Sequence, residues 1–210
     1  SKIYPLRAAA MGGLKPLDPA EFDYAKARHL LVRAGYGGTP AEVEKLHKMG
    51  LYKAVDHLVD YYQQPAGAAF DAVPPVEVDP FEPKLKNRFM ASQVSGARKG
   101  VDSGQLAKLR QWRRERAGES TRPLQEKLTL FWHGHFAAQN NVVDNSYIMF
   151  RQNQLFREHA AGNFGALLYG IVHDPAMIRY LDNNKNAKGK PNENLAREIL
   201  ELFSMGVDQG

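Results

Sequence analysis

The chain has 210 residues, of which 43% are hydrophobic and 24% are charged. These proportions are those of an ordinary globular protein and exclude an intrinsically disordered chain. Cysteine is absent, which excludes disulfides, thiolate metal sites and a cysteine nucleophile. No apolar run approaches the roughly eighteen residues of a membrane-spanning helix, so we do not expect the chain to span a membrane.

The net charge of +5 is unevenly distributed along the sequence. Residues 84–116 contain ten Lys and Arg against two acidic residues, whereas the rest of the chain is net negative. A basic stretch of this kind is typical either of a surface that binds anions or of a solvated helix face. Its basic residues do not alternate with aromatic ones, as they would in a surface that stacks on bases. We therefore keep an anionic surface as a candidate partner and do not expect nucleic acid.

Capping motifs predict the first helices. Asp18-Pro19-Ala20-Glu21 and Thr39-Pro40-Ala41-Glu42 each supply an N-cap, a proline at the first helical position and a glutamate for a capping box. The first helix is expected to continue to Ala34 and to end at a left-handed Gly35, and the second to end at Gly50. A third helix is expected over about residues 52–62.

Residues 63–83 have the composition of a linker or a long surface excursion. They hold five of the twelve prolines, four acidic residues and no Lys or Arg. They separate an N-terminal helical part, residues 1–62, from a main helical part, residues 84–210. An acidic segment next to a basic one also suggests an alternative to anion binding, in which the linker lies against a basic helix expected over residues 104–116.

Helical spacing returns after Pro123. It predicts helices over about residues 124–135, 148–156, 164–171, 175–181 and 195–206, the fourth capped by Asp174. We find no strand pattern and no repeat. The expected fold class is all-α, an irregular multi-helix bundle.

Residues 182–193 have the ligand spacing of a calcium-binding loop. Oxygen-bearing side chains occupy positions one, three, five and twelve: Asp182, Asn184, Asn186 and Glu193. Position six is an alanine where the loop needs glycine, and three lysines within the loop weaken a cation site. The alternative is that the aspartate and asparagines form helix caps and Asx turns. The candidate cofactor is therefore calcium, and the alternative is that the same residues only form structural turns.

Two histidines, His133 and His135, flank Gly134 in an aromatic segment. Residues two apart on a helix point about 200° away from each other, so both histidines can bind one ion only if the helix ends at Gly134. Otherwise we expect one histidine to face the core beside Phe131 and Leu128 and the other to face a cleft.

The last predicted helix has a polar face opposite its leucines and isoleucine. Asn194, Arg197, Glu198 and Glu201 occupy this face, and Glu198 lies nearest the apolar side. Taken alone, the pattern indicates an exposed, salt-bridged surface.

Three segments together resemble the bacterial domain of unknown function 1800 family. They are His29–Val43, with the sequence HLLVRAGYGGTPAEV, Lys127–Phe136, with KLTLFWHGHF, and Pro191–Phe203, with PNENLAREILELF. The resemblance implies a helical, exported protein, periplasmic or on the cell surface. It also implies signature positions in the second and third segments, here Trp132, His133, His135, Asn192, Glu193, Asn194, Arg197, Glu198 and Glu201.

Members of that family are about twice as long, so the resemblance implies a chain that is incomplete at its C-terminus, with exposed apolar surface near Leu200 and Phe203. The expected partner is then another protein or the missing C-terminal half. Two functions remain open. In one, the signature residues form a structural polar network in a subunit of a surface or periplasmic assembly. In the other, an exported hydrolase-like or metal-binding enzyme uses His133 or His135 with Glu198 or Glu201.

Overall fold

The computed structural model describes residues 15–65 and 88–206, and only the backbone between residues 88 and 98. Over these ranges the regular elements are helices, and the β-type pairing is limited to one isolated bridge between Ala187 and Lys190. This confirms the all-α fold class. The helices are α1 Tyr24–Ala34, α2 Pro40–Met49, α3 Leu51–Val59, α4 Arg88–Glu119, α5 Pro123–His135, α6 Asn140–Val143, α7 Ser146–Glu158, α8 Phe164–Val172, α9 Pro175–Tyr180 and α10 Asn194–Glu201. They group into two compact units, the first ending at Gln63 and the second beginning at Gln64.

The first unit is a bundle of α1, α2 and α3. Helix α2 begins as the sequence predicts, because Thr39 and Glu42 form a complete capping box before Pro40. The three helices bury one apolar cluster, formed by Phe22, Ala27, Leu31, Val43, Leu46, Ala54 and Leu58. This cluster is the core of the unit.

The start and end of α1 differ from the prediction. Asp18 caps only a short 3-10 turn, Pro19–Glu21, and Asp23 is the N-cap of α1. The backbone leaves the helical conformation at Phe22, where ψ is 88°, and the Phe22 side chain is buried in the core, so the predicted continuous helix is interrupted. Gly35, at φ −152°, is not left-handed, so that part of the prediction is wrong.

In the second unit, α7 is the central helix. It packs against α4, α5, α6, α8 and α9. Asn145, Asn163 and Asp174 cap α7, α8 and α9, each accepting a hydrogen bond from a backbone amide three residues later. These side-chain caps explain why the predicted starts of α8 and α9 are correct.

The second unit has two apolar clusters, and both include residues of α7. One contains Leu109, Trp112, Ala138, Val143, Met149, Phe150 and Ala176. The other contains Phe136, Phe156, Leu167, Ile171, Met177, Leu181, Leu195 and Phe203. Apolar surface is exposed near Leu200 and Phe203, as the resemblance leads us to expect, because Leu200 is 51% and Leu202 56% exposed; Phe203 itself is 8% exposed and belongs to the second cluster.

The basic stretch of the sequence forms most of α4, which is longer than predicted. It is not a uniformly solvated face, because Leu109, Trp112 and Arg116 are buried along one side of the helix. Most of the proline-rich linker, residues 66–83, lies outside the described residues, as does any contact it makes with α4. None of the described helices combines the length and apolar character needed to cross a bilayer.

Candidate functional site

Helices α4, α5 and α7 meet at a buried charge cluster. The Glu126 carboxylate of α5 accepts a hydrogen bond at 2.8 Å from Arg116 Nε of α4. It also accepts two from Arg157 of α7, at 3.0 Å from Nε and 3.0 Å from Nη2, in a bidentate arrangement. All three side chains are less than a tenth exposed. A charge-paired contact among three helices therefore lies inside the second unit.

The Trp112 ring lies against both guanidinium groups of this cluster. Arg116 Cζ is 5.1 Å and Arg157 Cζ is 4.9 Å from the ring centroid, within the range of cation–π interaction. Burial alone raises the pKa of Glu126, but hydrogen bonds and charges from Arg157 and Arg116 outweigh it and hold this pKa below its usual value. Glu126 is thus ionised at neutral pH.

A cavity of about 460 Å³ lies beside this cluster, among the same three helices and the segment that includes α6. Its apolar wall is formed by Leu106, Leu109, Ala138 and Met149. Its polar wall is formed by Arg110, Arg113, His133, Gln139, Asn140, Asn141 and Asn153. The volume lies within the range of small-molecule binding pockets, and the wall is more polar than such pockets usually are.

Several polar atoms of this wall are buried without a hydrogen-bond partner among the described residues. Asn153 is 4% exposed, and neither its amide nitrogen nor its amide oxygen has a partner. Asn140 Oδ1 and His133 Nδ1 are in the same situation. An unpaired buried polar group costs about 1–3 kcal/mol, and nearly all such groups in folded proteins are satisfied. Four such atoms lie in the wall of one cavity, where they are available to a polar molecule that occupies it.

His133 faces the cavity as a neutral imidazole. Burial disfavours its protonated form, and the nearby Arg113 charge adds to this, so the pKa of His133 is lowered to about 4. At neutral pH the ring can therefore accept one hydrogen bond and donate another.

His135 points elsewhere. Helix α5 includes Gly134 and continues to His135, so the two histidines leave the helix in different directions. His135 Nε2 lies 3.1 Å from the backbone carbonyl of Phe203, and its ring packs against aromatic side chains of the second apolar cluster. The prediction that one histidine faces the core and the other a cleft is confirmed, with His133 at the cleft.

The polar face of α10 is not part of the cavity wall. Arg197 Nη2 lies 3.5 Å from Glu198 Oε1 and donates a hydrogen bond at 3.0 Å to Asn194 Oδ1. Glu198 and Glu201 are half-buried. Neither of them lines the cavity that contains His133. The pairing of His133 or His135 with Glu198 or Glu201 stays a prediction, and the cavity lining gives no support for it at His133.

The predicted calcium loop has a well-defined structure. Asp182 adopts the left-handed conformation at φ 58°, and its carboxylate lies 2.6 Å from Lys185 Nζ. Asn186 donates to Asn183 and accepts from the amide of Asn192. Asn184 and Glu193 are exposed. Over the described residues no three His, Asp or Glu side chains are grouped to hold a metal ion.

These contacts are the turns that the alternative interpretation of the loop expects. Calcium binding at Asp182, Asn184, Asn186 and Glu193 stays a prediction, which a calcium titration followed by thermal unfolding checks. Asn192 closes the loop: its side chain donates to the carbonyls of Leu181 and Asp182 and accepts from the amide of Asn194. This signature position thus has a structural role.

Sequence reasoning missed Glu126, Arg157 and Asn153. A local signal existed for the buried cluster, because Trp112 and Arg116 lie one turn apart on α4, where an arginine can cover an aromatic ring. No comparable signal marks Asn153, whose importance depends on side chains from other helices.

Comparison with known proteins places the chain in a family without assigning it an activity. No curated protein and no solved structure matches the chain significantly. Residues 29–210 match the family model described as "Protein of unknown function (DUF1800)". Because this match covers most of the sequence and includes the cavity, the charge cluster and α10, the chain belongs to the DUF1800 family.

Proposed function

We propose that the protein is a small-molecule-binding module whose binding site is the cavity among α4, α5, α6 and α7. The observation that carries the proposal is the fully unpaired amide of Asn153, which is buried in the cavity wall. A bound polar molecule would supply the missing hydrogen bonds and offset the cost of burying this amide.

The buried charge cluster supports a binding role because it preorganises the walls. Arg116, Glu126 and Arg157 join the same three helices that carry Arg113, His133 and Asn153. A satisfied buried network favours one arrangement of its helices. Rigid walls reduce the ordering cost of binding.

The chemistry of the wall favours binding over catalysis. None of the eleven described residues that line the cavity is a Ser, Thr, Asp or Glu, so this lining offers no side-chain hydroxyl nucleophile and no carboxylate. The neutral His133 lacks a carboxylate partner in this wall to orient it as a general base. We therefore propose a binding role for the module, and the hydrolase-like alternative stays a prediction.

The location of the module is also part of the proposal. The family resemblance supports an exported protein, periplasmic or on the cell surface, working as a subunit of an assembly. In that setting, the module would hold its small molecule within a larger complex, and the partner is another protein.

The experiment is a ligand-observed NMR screen of a mixed library of neutral and charged fragments. The variant Ala138→Leu adds bulk to the apolar wall, whereas the control Ala107→Leu changes an exposed residue of the same α4 that carries Arg110 and Arg113. We expect wild type and Ala107→Leu to bind a shared set of fragments and Ala138→Leu to lose them while staying folded. Fragment binding that Ala138→Leu leaves intact, or no binding at all, would refute the proposal.

A further inference from the structure

We infer that the cavity binds a small hydroxylated organic anion, of the size of a sugar acid or a sugar phosphate. This inference rests on the proposed function and adds the chemical class of the ligand. It depends on three features of the described residues: the sign of the charge in the wall, the kind of hydrogen-bonding groups beside it, and the volume they enclose.

The charge in the wall is positive. Arg110 and Arg113 are three residues apart on α4, so their side chains leave the helix on the same face. Among the described residues that line the cavity, none is acidic. Arginine presents its donors in a planar fork that matches a carboxylate or a phosphate. A ligand with a carboxylate or phosphate group would therefore find complementary charge here.

The field of this positive charge reaches the other wall. The charge of Arg113 contributes to lowering the pKa of His133, which is on the neighbouring helix α5. A like charge is thus disfavoured within the cavity, and an anion is favoured for the same reason. Because the cavity is partly shielded from water, this electrostatic preference for an anion is stronger than it would be on an open surface.

The hydrogen-bonding groups beside the arginines fit hydroxyl groups. Asn153 of α7 offers unpaired donors and an unpaired acceptor, Asn140 of α6 an unpaired acceptor and His133 of α5 an unpaired ring nitrogen. A hydroxyl can donate to one such atom and accept from another, whereas an apolar group can satisfy none of them. Several hydroxyls on one ligand would satisfy groups from three helices at once.

The cavity is too large for a single inorganic ion to reach all the hydrogen-bonding groups of its wall. About 460 Å³ is within the range of pockets for organic ligands and far larger than one phosphate or one carboxylate group. The apolar wall formed by Leu109, Ala138 and Met149 would contact the carbon skeleton.

The test is isothermal titration calorimetry of the whole chain with three probes: D-gluconate, glucose 6-phosphate and the uncharged polyol sorbitol. The first two distinguish a carboxylate from a phosphate as the charged group. The variant Arg110→Gln removes a charge from the wall. Arg114→Gln is the matched control, because Arg114 is an exposed arginine of the same helix that does not line the cavity.

We expect at least one of the two anions to bind about tenfold or more tightly than sorbitol, because a charge-assisted hydrogen bond contributes more than a neutral one. Arg110→Gln should weaken anion binding about tenfold, and Arg114→Gln should leave it within about twofold. Asn153→Leu, a second variant, should weaken the anion and sorbitol alike.

Sorbitol binding as tightly as both anions, or anion binding that Arg110→Gln and Arg114→Gln leave equally strong, would overturn the inference. If the fragments of the screen bind but none of these three probes does, the ligand class is wrong and the proposed function stands. If neither the fragments nor the probes bind, both fail, and water satisfies the unpaired atoms.

Discussion

The Glu126 carboxylate lies between two buried arginines, Arg116 and Arg157. It receives three hydrogen bonds from Arg116 and Arg157 and compensates two positive charges. Among the described residues this carboxylate is a charge partner of both guanidinium groups, so its loss would remove that partner from two buried positive charges at once. Breaking a buried ion pair from one side is far more costly than never forming it.

Glu126→Gln should lower the free energy of unfolding by about 3–5 kcal/mol, since the amide keeps the shape but not the charge of the carboxylate. Urea unfolding at neutral pH measures this. The control Glu158→Gln, at an exposed position of α7, should change stability by less than about 0.5 kcal/mol. Equal effects of the two substitutions would show that the buried cluster does not stabilise the unit.

His133 makes stability depend on pH through its burial. Its pKa is about 4 in the folded chain, against an ordinary value of 6.5. Between these two values the unfolded chain binds a proton at this residue and the folded chain does not, so stability falls as pH decreases. Arg110 and Arg113 of α4 are the charged groups among the described residues of its cavity, and the charge of Arg113 opposes protonation.

His133→Gln should therefore remove part of the acid sensitivity. From pH 7 to pH 4, wild type should lose up to about 3 kcal/mol more of its unfolding free energy than the variant, which is the pKa difference expressed as energy. Chemical unfolding at a series of pH values provides the comparison. Parallel pH profiles for the two proteins would mean that folding does not lower the pKa of His133.

At the scale of elements, Gly50 connects α2 and α3 with a backbone that other residues rarely adopt. Its φ is 74° and its ψ is 165°, a region that is almost restricted to glycine. A Cβ at this position would meet no atom within 4 Å, so the cost of substitution is conformational rather than steric. Gly134, inside α5, also has open space around it but has no positive φ.

The same substitution should thus have opposite effects at the two glycines. Gly50→Ala should destabilise the first unit by about 1–3 kcal/mol, because alanine is strained at this backbone conformation. Gly134→Ala should stabilise α5 by about 0.5–1 kcal/mol, because alanine loses less entropy in a helix. Thermal unfolding followed by circular dichroism compares them, and a shift in the same direction for both would contradict the assignment of strain to Gly50.

At the scale of the whole molecule, the two units have separate cores. Among the residues that the structure describes, the buried cluster of the first unit is formed by residues 22–58 and the two clusters of the second unit by residues 109–203. Residues on either side of the boundary at Gln63 therefore depend on different apolar contacts.

Damage to the second core should accordingly stay local. In the Glu126→Gln variant, hydrogen exchange measured by mass spectrometry should show faster exchange in α4, α5 and α7, with the protection of α1, α2 and α3 unchanged. Faster exchange across all these helices would show that the two units unfold cooperatively.

Local patterns of sequence determined most of the helices of this protein. The Thr39 capping box, the asparagine and aspartate caps and the apolar spacing act within about one turn of the chain, so they can be recognised without knowledge of the fold. The angular separation of His133 and His135 follows from the same local geometry. The error in the predicted start of α1 also concerns a local signal, because Asp18 and Asp23 can both act as N-caps. The burial of Phe22 between them favours a helix that begins after Asp23.

The site depended on the tertiary structure. Arg116, Glu126 and Arg157 are ten and thirty-one residues apart along the chain, and no local rule brings them together. The cavity likewise combines Arg113, His133 and Asn153 from three helices. Packing around α7 decides which polar side chains are buried and which of them lack partners. The sequence of one helix shows which polar side chains share a face. What surrounds those side chains depends on the helices that pack against that face.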